Sequence, residues 1–420
     1  MINMENVFLN TYNRLPVTFA KGDGAWLFDI NGRKYLDFGS GIAVNLLGHN
    51  YPPLVRAVTE QAAKYFHVCN YYQSDAAAAF AEKLAEACAP CGMKKVFLAN
   101  SGAEANEGAC KLARKYSLLK YGPGRHTIVT LKGSFHGRTI TTLAATGQEK
   151  FHRDFGPFTE GFLHIKSGDI NALDIALNEK TTAGLLLEVI QGESGIVPLD
   201  EAFIAEAVRL CAERDILLMF DEIQCGIGRT GTFLALEQYK DDNGNPIKAD
   251  IVTLAKGLAG GIPAGAVLAG EKCEDVFSFG DHGSTFGGNP IAASAGLVVL
   301  KTVNTPDFLA EINRKGEKLM AALKEVPNVK EVRGKGFMLG FDIEGAAFNA
   351  RSLLEAAITR AGLPGNKNGL LLLSAGENTI RLLPPYIISD GEIDQGLEIL
   401  AELVELCVAA GGKEQRSGNK

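Results

Sequence analysis

The chain has 420 residues, of which 46% are apolar and 22% charged. These are ordinary globular proportions, and they exclude a disordered chain, a collagen and a coiled-coil rod. With 42 basic against 49 acidic residues the net charge is −7, and no basic run offsets it, so a general nucleic-acid binder is excluded as well.

Residues 1–50 mix short strand patterns with turns, and the runs 25–30 and 34–38 flank Asn31-Gly32, a hairpin signal. The rhythm changes near residue 75. Helices are predicted over 75–88 and 103–116 with a short apolar run at 95–99 between them, and further runs lie at 127–131 and 184–189. An amphipathic helix over 201–214 leads into the strand 216–220, followed by runs at 251–255 and 264–269. Short continuous apolar runs alternating with helices describe a mostly parallel sheet covered on both faces, with its site at the carboxyl ends of the strands. After residue 300, a long helix near 306–324, strands at 330–333, 337–344 and 379–383, and helices near 350–361 and 391–409 read as a smaller α+β domain. The polar tail 411–420 is expected to fray.

The opening MINMENVFLN lacks the basic and apolar regions of a signal peptide. The longest stretch without an ionised residue, 282–300, carries His, Ser, Thr, Asn and Pro and does not read as a membrane span. Of the eight cysteines only Cys88 and Cys91 are close. That CAPC follows a helical stretch instead of opening a helix, and so reads as two ordinary thiols. There is no second CxxC, no HExxH and no ligand spacing among the seven histidines, so a reduced, cytoplasmic, metal-free protein is expected.

Three predicted strand ends carry residues that plain packing leaves unexplained. In Phe220-Asp221-Glu222-Ile223-Gln224 an apolar strand ends in a carboxylate, which needs a partner if buried; a solvated loop acid is the plain alternative. Lys256 ends the next run, with Gly257, Gly260 and Gly261 beyond it. Desolvation would lower its pKa and make it a Schiff-base nucleophile, whereas a lone lysine more commonly snorkels to the surface. Asn100-Ser101-Gly102-Ala103 opens an Ala-rich helix, offering an N-cap together with free N–H groups and a positive dipole end suited to a phosphate. A phosphate cradle, an anion for a pyridinium nitrogen and a Schiff-base lysine are jointly what pyridoxal 5′-phosphate requires. A rival signal, Gly226-Ile-Gly228-Arg-Thr-Gly231 with Asp250 further on, matches a dinucleotide fingerprint on paper. Residues 221–225 separate it from the strand it should follow directly, so it reads as a glycine-rich loop. No P-loop and no G-x-S-x-G elbow is present.

The segments GIAVNLLGH at 41–49, NSGAEANEGACKLARKY at 100–116, SFHGRTITTLAATGQEKF at 134–151, EVIQGESG at 188–195, FDEIQCGIGRTG at 220–231, LAKGLAGGIPAGA at 254–266, HGSTFGGNP at 282–290 and TIRLLPP at 379–385 run in order through nearly the whole chain. On these the chain resembles the class III, fold-type I pyridoxal-phosphate aminotransferases, most closely the acetylornithine branch. The resemblance implies an α/β fold. A large domain, 61–303, would hold a mostly parallel seven-stranded sheet, and a smaller α+β domain would form from 1–60 and 304–410, with 411–420 as tail.

The resemblance further implies pyridoxal 5′-phosphate as cofactor, Lys256 as its Schiff-base lysine and proton shuttle, and Asp221 as partner of the ring nitrogen. Gln224 would lie near the ring O3′, and Ser101, Gly102 and Ala103 at the phosphate. Phe135 would stack on the ring, with plain core packing as the alternative. Ser284 and Thr285 would reach the phosphate and substrate of a neighbouring copy, which implies a homodimer with shared sites. Arg138 would hold a distal substrate carboxylate and Arg381 a second one, since arginine pairs bidentately with carboxylates. Glu193 would cover Arg381 while the ω-amine donor binds and swing away for glutamate. Tyr12 matches a tyrosine that meets the free α-amine in ornithine enzymes, although it occurs more widely.

The implied reaction is ping-pong transfer of the δ-amino group of N2-acetylornithine to 2-oxoglutarate, giving the semialdehyde and glutamate, in arginine biosynthesis, with no nucleic-acid or membrane partner. Ornithine, 4-aminobutyrate, succinyl-ornithine and succinyl-diaminopimelate enzymes share the motifs. A pyridoxal-phosphate aminomutase and a binding protein with a vestigial site remain as alternatives. Two departures stand out: Val189 where proline is common, and the segment 240–248, whose Asn243-Gly244-Asn245-Pro246 marks an extended surface loop.

Overall fold

The computed structural model describes residues 7–241, 243–343, 349–365 and 367–417, with side chains described to residue 409. Its centre is a seven-stranded sheet. In spatial order the strands are Met93–Ala99, Gly265–Gly270, Ile251–Leu254, Leu217–Asp221, Thr182–Leu187, Thr127–Leu131 and Phe162–Ile165. Gly265–Gly270 runs antiparallel to both neighbours, and the other pairings are parallel. Every residue of Thr182–Leu187, Leu217–Asp221, Ile251–Leu254 and Gly265–Gly270 is buried, as continuous apolar runs require when both faces are covered.

The two faces follow the strand period of two. Ile128, Leu186, Leu217 and Ile251 pack with Ala105, Ala109 and Leu112 of the helix Gly102–Tyr121. Their neighbours Val129, Leu185, Leu218 and Val252 belong to the opposite core. There they share a cluster with Phe80 of Asp75–Cys88, Phe203 of Glu201–Glu213 and Val299 of Pro290–Val303. The parallel directions bring Ala99, Leu131, Leu187, Asp221 and Leu254 to one edge of the sheet.

Trp26–Asp29 and Lys34–Asp37 form the expected hairpin, and Lys34–Asp37 then pairs in parallel with Gly369–Leu371. Val329–Lys335, Met338–Ile343, Thr379–Leu382 and Leu373–Ala375 make an antiparallel sheet in that order. The helix Asp390–Ser417 continues past the expected end near 409. Glu344, which closed the predicted strand 337–344, and residues 418–420 of the predicted tail lie outside the described residues. The loop 226–231 is buried. Gly231 has φ +93, its carbonyl accepts from Asn313 Nδ2 at 2.9 Å, and a Cβ there would run into Asn313. The glycine there serves a helix contact. Beside it, Arg229 donates from Nη1 to the carbonyls of Phe337 (3.1 Å) and Pro384 (2.7 Å), which ties this loop to the C-terminal part of the chain.

Candidate active site

A cavity of about 450 Å³ opens at the edge where the strands end, a volume that suits a small cofactor with its substrate. Three strand ends supply its chemistry. Asp221 ends its strand 3% exposed. Its Oδ2 accepts from Asn106 Nδ2 at 2.7 Å and from His136 Nδ1 at 2.8 Å, and its Oδ1 accepts from the Ile223 N–H at 3.1 Å. Asn106 is itself fixed, since its Oδ1 accepts from Thr253 Oγ1 at 2.8 Å and its Nδ2 also donates to the His136 carbonyl at 2.8 Å. Burial opposes a charge on His136, but the bond to Asp221 and the Asp221 charge outweigh it and hold its pKa above the usual value. Three donors thus fix the orientation of this carboxylate.

Lys256 lies two residues past Ile251–Leu254, with φ +47, a left-handed conformation that a non-glycine residue adopts at a cost. It lines the cavity. Burial lowers its amine pKa against the opposing pull of Glu193 and Asp221, which moves it toward the neutral, nucleophilic form.

At the third strand end, Ser101 caps the helix Gly102–Tyr121, and its Oγ accepts from the Glu104 N–H at 3.2 Å. Glu104 returns to Asn100, accepting from its N–H at 2.7 Å and its Nδ2 at 2.9 Å, which fixes the turn from strand to helix. The strand Gly265–Gly270 passes so close that a Cβ on Gly265 would collide with the Ser101 carbonyl. The first turn, with its N–H groups and dipole end, thus faces the cavity at Ser101, Gly102 and Ala103.

Phe135, Gln224 and Arg138 also line the cavity. The Arg138 guanidinium stacks over the Phe151 ring at 4.2 Å and lies 5.6 Å from the Phe135 ring. Arg381, on Thr379–Leu382, is buried behind Gln224. Its Nη1 donates to Glu193 Oε1 (2.6 Å), the Gly192 carbonyl (2.9 Å) and Gln224 Oε1 (2.9 Å). Burial disfavours a charge on Glu193, but Arg381 outweighs it and holds the carboxyl below its ordinary pKa. Glu188, at the end of Thr182–Leu187, also lines the cavity. Burial pushes its pKa up to about 7, with His136 pulling it down and Asp221 adding to the rise.

The Aminotransferase class-III family matches residues 8–404. This chain is a class-III aminotransferase. It is 44% identical to an acetylornithine aminotransferase of Haemophilus ducreyi over 95% of this chain and 96% of that one. It is 42% identical to the acetylornithine aminotransferase of Aquifex aeolicus over 94% and 99%. Among solved structures, an ornithine aminotransferase of Toxoplasma gondii superposes with TM-score 0.87 at 30% identity, covering 96% and 93%. The N-acetylornithine aminotransferase of Stenotrophomonas maltophilia gives TM-score 0.79 at 36% identity, covering 95% and 98%. The aminotransferase is a fold-type I α/β enzyme that uses pyridoxal 5′-phosphate, an amino donor and a keto acid.

The residues fit that cofactor. A capped helix N-terminus faces one part of the cavity, an oriented buried carboxylate another, and a lysine with a lowered pKa a third. A side chain at Gly102 would press on the end of the Ile223 side chain, which would have to shift.

Five residues singled out from the sequence do not line the cavity of one chain: Arg381 and Glu193, which pair with each other behind Gln224, and Ser284, Thr285 and Tyr12. Ser284 Oγ accepts from Asn100 Nδ2 at 2.9 Å, just behind the strand end. Thr285 is exposed, and Tyr12 is 74% exposed; neither lines the cavity. Conversely His136, Asn106, Thr253 and Glu188 had not been singled out. Glu188 sits inside the apolar run 184–189 instead of closing it, so no strand-end signal marked it, although the strand itself stops at Leu187.

Cys88 and Cys91 are buried at the end of Asp75–Cys88 and the turn after it, and burial pushes both thiols up, away from the reactive thiolate. Among the described residues no helix is long and apolar enough to cross a membrane, and no group of His, Cys, Asp and Glu is placed to hold a metal ion.

Proposed function

We propose that this aminotransferase transfers the δ-amino group of N2-acetylornithine to 2-oxoglutarate, in arginine biosynthesis, as a cytoplasmic homodimer. Near-full-length identity to acetylornithine aminotransferases carries the substrate. Bound cofactor supplies an electron sink for the reacting carbon. Lys256 would hold the cofactor through its amine, and the freed amine would carry the proton from the amino-bearing carbon of the donor to the cofactor carbon it had been bonded to. Asp221 presents a fixed negative charge to the ring nitrogen, oriented through Asn106 and His136. Ser101, Gly102 and Ala103 hold the phosphate, Phe135 covers the ring, and Gln224 meets its hydroxyl side.

Arg138 binds the α-carboxylate of the donor. Arg381 stays covered by Glu193 for the donor and pairs with the carboxylate beside the reacting carbon when glutamate or 2-oxoglutarate binds, while Arg138 takes the distal one. Ser284 and Thr285 complete the site of a second copy. Support for that copy comes from Tyr71 (97% exposed), Phe279 (111%), Phe66, Tyr72 and Phe286, an amount of exposed aromatic surface unusual for a lone monomer.

The test is glutamate formation from 2-oxoglutarate with N2-acetylornithine, ornithine and 4-aminobutyrate in parallel. The acetylated donor should show the highest kcat/KM. A higher value for either rival donor removes the substrate assignment, and an aminomutase would release no glutamate with any of them.

A further inference from the structure

Glu188 is 6% exposed and has no ion-pair partner among the described residues. A buried carboxylate is costly unless its oxygens are satisfied. Here each oxygen accepts a backbone N–H from a different segment: Oε1 from Phe135 at 2.7 Å, and Oε2 from Gly192 at 3.3 Å. Phe135 belongs to the loop that faces the cavity, and the next residue, His136, holds Asp221. Gly192 offers its carbonyl to Arg381 and precedes Glu193, the carboxylate on that same arginine. One short side chain on the rim of the fully buried strand Thr182–Leu187 therefore spans both halves of the site.

The residue type follows from that geometry. Two donors converge on the two ends of one planar group, so two acceptor atoms are needed. Glutamine offers one acceptor and would turn its NH₂ toward the second N–H; aspartate is one carbon shorter. A charged acceptor also makes a stronger bond than a neutral one.

We propose that Glu188 is a positioning residue that ties the Phe135 loop to the Gly192–Glu193 turn, so that the seat of the cofactor ring and the closed state of the Glu193–Arg381 pair are set together. This rests on the roles assigned above to Phe135 and Glu193.

The test compares the holoenzyme with Glu188→Ala, Glu188→Gln and Glu193→Ala. Three quantities are read: amide hydrogen exchange of segments 133–138 and 190–195, cofactor dissociation, and the ratio of the half-reaction rates with N2-acetylornithine and glutamate. Glu188→Ala should speed exchange in both segments, weaken cofactor binding about tenfold or more, the loss expected for a charged hydrogen bond, and shift the donor ratio. Glu188→Gln keeps the volume and one acceptor, so one segment should loosen while the other stays protected; this variant serves should the alanine variant not fold.

Unchanged exchange at either segment in Glu188→Ala, or at both in Glu188→Gln, would overturn the tie. A Glu188→Ala donor ratio equal to wild type, where Glu193→Ala shifts it, would overturn the link to the gate and leave the gate itself standing. A Glu193→Ala ratio equal to wild type would remove the gate and with it that link, and the exchange data would then decide the tie alone.

Discussion

Replacing Glu193 with alanine should redirect the enzyme from its amine donor toward glutamate. Arg381 Nη1 has three acceptors, of which Glu193 is the one carboxylate, at 2.6 Å. The variant leaves it the neutral Gly192 carbonyl and Gln224 Oε1, each at 2.9 Å. A hydrogen bond to a charged group contributes about 1.5–3 kcal/mol. The Glu193 side chain is 26% exposed, so solvent screening favours the lower half of that range.

At a factor of ten per about 1.4 kcal/mol, glutamate should gain about tenfold in half-reaction kcat/KM, because it no longer displaces Glu193. The donor should lose, because its ammonium group then meets an uncovered guanidinium. The measurement is stopped-flow absorbance of the bound cofactor with each substrate alone. Glu193→Gln, which keeps a hydrogen bond and loses the charge, should lie between. A donor-to-glutamate ratio within about twofold of wild type in a folded, cofactor-loaded variant would refute a gate built on this pair.

Three further outcomes are expected. Asp221→Asn removes the two largest effects that raise the His136 pKa, leaving Glu188 against burial, so an NMR titration of that ring should move to lower pH while transamination falls about 100-fold or more. Glu222 is buried, accepts from the Ala235 and Leu236 N–H groups, and is raised by burial from 4.5 to about 7. With the folded pKa above the unfolded one, the native state binds the extra proton between those values. Stability should therefore fall as pH rises from 4.5 to about 7, and Glu222→Gln should flatten that slope in thermal melts of the unloaded protein. Gly265→Ala forces the Ser101 turn to shift; an overpacking cost of about 1–3 kcal/mol should appear as a lower Tm, together with weaker cofactor binding.

The sheet was legible because its central strands are fully buried and therefore continuously apolar, and Asp221 and Lys256 stood out because each follows or ends such a run, whereas Ser101 follows the short apolar end of the partly exposed edge strand Met93–Ala99. Phe162–Ile165 was not legible: it is an edge strand with one neighbour and mixed burial, so its residues carry no continuous run. Pro290–Val303 hid in a polar-to-apolar stretch, although Asn289 caps it and Pro290 opens it, the expected start signals. Asn106 had a local sign, a polar side chain on the buried stripe beside Ala105 and Ala109, but its partner Asp221 is 115 positions away. The Arg381–Glu193 pair spans 188 positions. No local pattern encodes such contacts; the Arg381–Glu193 pair came from resemblance, and the Asn106–Asp221 bond and all distances from the folded chain.

The central claim is that Lys256, Asp221 and the helix start at Ser101 form a pyridoxal-phosphate site that accepts the δ-amine of N2-acetylornithine. The most direct test is the visible spectrum of the purified holoenzyme mixed with that amine alone, beside Lys256→Ala. We expect the lysine-bound cofactor band to disappear with N2-acetylornithine in the wild-type protein and to be absent from the start in the variant. A wild-type band that persists with N2-acetylornithine but bleaches with ornithine or 4-aminobutyrate would contradict the substrate, and the same band in Lys256→Ala would contradict the site.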